Sequence, residues 1–107
     1  MITIHFNKRN GEYELIVKGH AGFGEAGKDI LCSAVSILLY TLVEAIDETW
    51  LRMPPVVVLS PGDTLVRVEA SASKSAEING VFSVIATGFR LLSKNFPNNV
   101  IFFEGEG

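Results

Sequence analysis

Apolar and polar residues alternate at Ile2, Ile4 and Phe6 and again at Tyr13, Leu15 and Val17, with Asn10-Gly11 between the two runs. A period of two puts the apolar side chains of each run on one face of a strand. Asn-Gly is the strongest short signal for a two-residue hairpin turn, because both central residues must take positive φ. The chain therefore opens as an antiparallel hairpin. From Ile30 to Trp50 the pattern changes to a long apolar run without glycine or proline, which predicts a first helix. Met53-Pro54-Pro55 breaks it. Val56 to Leu59 is a β-branched run, Ser60-Pro61-Gly62-Asp63 turns it, and Leu65 to Ala70 returns, giving a second hairpin. Ser73 or Ser75 is the expected cap of a second helix, in which Ile78, Val81, Phe82, Ile85, Phe89 and Leu92 recur at helical spacing up to Pro97. Val100 to Phe103 supplies a last strand. The order ββαββαβ predicts an α+β fold, a single mostly antiparallel sheet with two helices packed on one face.

The first helix is apolar on nearly every side. Leu31, Val35, Leu38, Leu42 and Ala45 form one stripe, while Ile30, Ile37, Tyr40 and Val43 spread beyond it. One sheet face cannot bury all of these, so a homodimer is expected in which part of this helix meets its partner.

Composition narrows the function classes. The 107 residues suit one domain spanning 1–107, with no linker, repeat or low-complexity tract to mark a second. Nine Lys and Arg against twelve Asp and Glu, with no basic run, argue against direct nucleic-acid binding. A single cysteine excludes an intrachain disulfide, and with only two histidines beside it a dedicated zinc site is not expected; no cofactor is implied. Met1 to Phe6 lacks the charged and apolar blocks of a signal peptide. Ser33, Ser36, Thr41 and Glu44 interrupt the apolar run well short of the ~20 residues a bilayer span needs. A cytoplasmic protein with no membrane partner is the expectation.

Chemistry concentrates between Gly19 and Ser36, GHAGFGEAGKDILCSAVS, where His20 stands twelve residues before Cys32. Glycines at 19, 22, 24 and 27 make the stretch from His20 to Asp29 poor helix and poor strand, so it reads as a flexible loop able to open and close. A helix starting near Asp29 would use that residue as N-cap and put Cys32 in its first turn. Unpartnered N–H groups and the helix dipole there favour a negatively charged sulfur. An imidazole within reach would complete the two requirements of a cysteine nucleophile. An inert, packed cysteine is the competing reading. His5, on an alternating strand, faces away from Ile4 and Phe6 toward solvent and is not expected to be catalytic.

Two phosphate-binding motifs are approached and missed. Gly22-x-Gly24-x-x-Gly27 matches the dinucleotide fingerprint, and Gly22-x4-Gly27-Lys28 nearly matches a P-loop. The P-loop needs Ser or Thr after its lysine, whereas Asp29 would bring a carboxylate against the phosphates. The chain is also too short for the parallel βαβ repeats that either fold uses.

Gly19-His20-Ala21, the glycine-containing loop, and Asp29-Ile30-Leu31-Cys32-Ser33-Ala34-Val35-Ser36 resemble the signature of the ribosomal-processing cysteine proteases, small bacterial proteins of the YsxB-like kind. The resemblance runs along the whole chain, from the N-terminal hairpin to the helix ending in Asn95-Phe96-Pro97. The usual family wording after Asp-Ile is Val-Cys-Ala, where this chain has Leu31, Cys32 and Ser33. By that resemblance Cys32 is the nucleophile and His20 its base, with Asp29 and Ser36 in supporting positions of the same motif. It further implies an endopeptidase that removes the N-terminal extension of a large-subunit ribosomal protein, of the bacterial L-twenty-seven type, after a short hydrophobic stretch with paired phenylalanines. The alternative is a non-catalytic module that binds such a tail or an assembling ribosomal particle. Asp29 has two candidate roles: as a helix cap its charge opposes a thiolate at Cys32, and as an orienter of His20 it would fix the tautomer. Ser36 shares the helical face of Cys32.

Overall fold

Asn10 and Gly11 have φ of 48° and 81°, the two positive values that a twisted hairpin turn requires. They join β1 (Ile2–Arg9) to β2 (Glu12–Gly19) in an antiparallel register that sets Ile4 opposite Val17 and Phe6 opposite Leu15. The structure, a computed structural model, describes residues 1–19, 30–60 and 62–106. Beyond the hairpin the elements are α1 (Ile30–Ala45), β3 (Val56–Ser60), β4 (Asp63–Glu69), α2 (Ser75–Asn95) and β5 (Val100–Glu106), the predicted ββαββαβ order. The sheet runs β3-β4-β2-β1-β5. Its pairings are antiparallel except β1 with β5, which is parallel, because α2 carries the chain back along the sheet before β5 begins. The sheet is therefore mixed, with the antiparallel pattern dominant.

Strand alternation decides what is buried. Ile2, Ile4, Phe6, Tyr13, Leu15, Val17, Val66, Val68 and Val100 turn to one face and form the core with Leu31, Val35, Leu39 and Leu42 of α1 and Ile78, Phe82, Ile85 and Phe89 of α2. Phe82 is the centre of an aromatic cluster, 5.7 Å from the Phe6 ring and 5.4 Å from Tyr13. Such contacts add to the apolar burial that drives folding. The two helices approach closely at Gly88, where a Cβ would lie 2.8 Å from Leu38 Cδ2. Among the described residues no helix is long and apolar enough to cross a membrane.

Local details depart from the sequence-based expectation at several points. The first helix stops at Ala45 instead of reaching Trp50. Asp47 takes extended backbone and accepts hydrogen bonds from both the N–H and the hydroxyl of Thr49, at 2.9 and 2.7 Å, which starts a separate 3₁₀ turn over Glu48–Trp50. Neither Ser73 nor Ser75 caps α2. Ser73 lies in a 3₁₀ turn, Lys74 holds the cap position without a side-chain bond, and the Ser75 hydroxyl sits 3.3 Å from that of Tyr13. On α1, Leu39 takes the core position expected of Leu38, which packs only partly buried toward α2, and Ala45 is exposed. His5 does leave the core face, but its ring stacks 4.8 Å from Phe103 instead of standing free in solvent.

Candidate active site

Cys32 is the third residue of α1, half-buried and not disulfide-bonded. Its neighbours one and two turns on, Ser36 and Tyr40, share its helical face. That face forms one wall of a cleft of about 360 Å³, to which Cys32, Val35, Ser36, Leu39 and Tyr40 contribute. The opposite wall is the β3–β4 hairpin, through Leu59, Ser60, Gly62, Asp63 and Thr64. Ile2, Val17 and Gly19, from the paired ends of β1 and β2, close it.

Gly19 has a specific reason to be glycine. Its φ is 94°, its N–H donates to the Gly62 carbonyl at 2.9 Å, and a Cβ would run into the Met1 carbonyl oxygen. The residue before His20 is thereby fixed at the edge of the cleft that holds Cys32. His20, Asp29 and the glycines 22, 24 and 27 lie outside the described residues, as does the loop motion expected of them. Of the predicted site, Cys32 and Ser36 are brought together in one cleft. Thr64 is the one buried polar residue among those described, and its hydroxyl donates to the Ser60 carbonyl at 3.5 Å within the hairpin wall.

The charge near the cleft is sparse. Asp63 pairs with Lys18 at 3.6 Å on the exposed rim, a pair that solvent screens. Hydrogen bonds from Thr49 hold the Asp47 carboxyl below its ordinary range, and the Glu14 carboxylate, bonded at 2.7 and 2.9 Å, holds the Arg67 guanidinium above its own. Neither residue lines the cleft. Among the described residues no group of three or more His, Cys, Asp or Glu is placed to hold a metal.

A second cavity of about 350 Å³ continues the seam between α1 and β3, lined by Val43, Glu44 and Ile46 on one side and Pro55, Val57 and Val66 on the other. Sequence reasoning missed these walls. The four-residue spacing from Cys32 through Ser36 to Tyr40 was available as a signal for one side. For the other, Val56 to Leu59 read as a strand, and nothing local said that it faces α1.

Comparison with known proteins bears on the family and the fold. The family model of the cysteine protease Prp matches residues 1–101. A ribosomal processing cysteine protease Prp of Mycoplasma genitalium is 30% identical over 95 residues, covering 84% of this chain and 86% of that protein. The crystal structure of SMU.848 from Streptococcus mutans superposes with a TM-score of 0.73 at 28% identity, covering 100% of this chain and 99% of that one. The Staphylococcus aureus Prp protease bound to a covalently linked product peptide shares the fold, with a TM-score of 0.75 at 21% identity over 97% of this chain and 99% of that one. The family match along nearly the whole chain, joined to a relative matched over most of its length, means that this chain belongs to the Prp family of cysteine proteases.

Proposed function

We propose that this protease removes the N-terminal extension of a large-subunit ribosomal protein of the bacterial L-twenty-seven type during ribosome assembly in the cytoplasm, with Cys32 as nucleophile and His20 as base. The observation that carries the reading is the position of Cys32, in the first turn of α1 and in the wall of an open cleft. The name of the Mycoplasma relative supports ribosomal processing, and the product peptide bound to the Staphylococcus protease supports a peptide substrate.

In this mechanism the Cys32 sulfur attacks the scissile carbonyl carbon while His20 accepts the thiol proton. The carbonyl oxygen gains negative charge, which the N–H groups at the start of α1 stabilise. His20 then returns the proton to the leaving amine, and a thioester remains on Cys32. Water, deprotonated by His20, attacks the thioester and releases the carboxylate of the extension. Asp29 acts either as cap of α1 or as orienter of His20. Ser36, one turn from Cys32 on the same wall, is placed to bond the substrate. No cofactor enters any step. The working form is a homodimer, a reading supported by Ile30 and Ile37 of α1, which are 65% and 62% exposed.

The test is intact-mass measurement of the ribosomal protein after incubation with the chain. Native protein is expected to shorten its partner at the extension, and Cys32→Ala to leave it whole. A partner left whole by both, or shortened by both, contradicts the proposal.

A further inference from the structure

Of the two outer strands of the sheet, β3 and β5, β3 is unusual in its chemistry. β3 pairs only with β4, so the backbone N–H and C=O groups of every second residue point away from the sheet. Its four aliphatic residues, Val56 to Leu59, are all exposed, and no charge, proline or bulge interrupts them. Soluble proteins ordinarily blunt such an edge, because it templates pairing with another chain. Val57 and Leu59 stand on the same side as their partners Val66 and Thr64, which face the helices. They line the two cavities along the α1–β3 seam, and Leu59 shares the first of these with Cys32. Edge, groove and candidate nucleophile are therefore continuous.

We propose that the edge of β3 takes up the substrate polypeptide as an added strand, with alternate substrate side chains entering the groove between β3 and α1. This rests on the reading of Cys32 as the nucleophile. Main-chain pairing gives affinity for any extended polypeptide, and pockets for alternate side chains give selectivity, the general logic of strand addition. The five residues of β3 span about 17 Å, so the edge pairs four to five substrate residues as they pass Cys32. Leu59 and Tyr40, which line the same cleft as Cys32 from its two walls, are the selectivity residues of this arrangement. The groove is mainly apolar, with Asp63 lining its first cavity and Glu44 and Glu48 its second, so it favours apolar side chains and disfavours acidic ones.

Strand addition has a periodic signature. The probe is a synthetic peptide bearing a short hydrophobic stretch with paired phenylalanines, with single backbone N-methyl groups placed along it, titrated onto the Cys32→Ala chain. N-methylation removes one N–H donor, so affinity is expected to fall at every second position, by roughly tenfold. On the protein side, Leu59→Ser is expected to weaken binding roughly tenfold and Val58→Ser less than about twofold, since a pocket contact is lost only in the first. The two residues are almost equally exposed, 43% and 46%, but Val58 points to the opposite face of the sheet, away from the groove. Both variants should keep the thermal midpoint of the parent chain. Affinity that ignores the position of the N-methyl group, equal effects of Leu59→Ser and Val58→Ser, a β3-to-β3 dimer that the peptide cannot displace, or no binding at all would each overturn the proposal. Periodic binding to a native chain that fails to cleave supports strand addition and sinks the peptidase reading; cleavage without periodicity does the reverse.

Discussion

Gly19 fixes where the chain leaves β2, just before His20. An alanine there meets two separate penalties, a positive φ of 94° and a Cβ directed at the Met1 carbonyl. Together these should destabilise the fold by about 3 kcal/mol or more, lowering the melting temperature on the order of 10 °C. A shift of only a degree or two by calorimetry would show that β1 and β2 tolerate a different exit. At this scale the sequence was informative where local chemistry decides. The place of Cys32 in a first helical turn was legible because a glycine-rich stretch, a candidate capping residue and an apolar run together mark a helix start. Gly19 was legible only as part of a glycine series, since its particular need depends on Met1, which lies next to it only in the folded hairpin. Tyr40 and Leu59 were not legible as cleft walls, because their meeting in one cleft depends on how α1 lies over the sheet.

Among the elements, the strands with one buried face were the clearest. Alternation at β1 and β2 survives folding because a slip of one residue would exchange core and solvent faces. The end of α1 was hidden because no glycine or proline follows before Pro54; instead Asp47, accepting two hydrogen bonds from Thr49, starts a separate turn. The start of α2 was hidden because serine hydroxyls have other partners available, here Tyr13. β3 was read as a strand but not as an edge strand, and the parallel pairing of β5 follows from the path of α2, which no local pattern encodes. α2 also supplies a prediction. Gly80 is exposed in its interior with nothing within 4 Å of an added Cβ, whereas Gly88 abuts Leu38. Gly80→Ala should stabilise by up to about 1 kcal/mol, raising the melting temperature by several degrees. Gly88→Ala should gain less, because Leu38 must move. Equal gains in both would mean that α1 and α2 do not pack at Gly88.

For the whole molecule, the sheet has one covered and one open face, and the cleft lies at the end of the helix layer where α1 meets the edge hairpin. The helix layer carries exposed apolar residues on its outer side, Ile37 on α1 and Val84 and Leu91 on α2, the surface expected of a homodimer. Light scattering at micromolar concentration should give twice the chain mass, and Ile37→Glu should halve it. A native monomer would contradict this. The central claim is that one thiol performs the chemistry, and the chain offers a direct test because Cys32 is its only cysteine. The measurement is residual cleavage of the ribosomal-protein extension against the fraction of Cys32 alkylated by iodoacetamide, both read by mass spectrometry. Activity should fall in proportion and vanish at one carbamidomethyl group per chain; a fully alkylated chain that still cleaves would contradict the account.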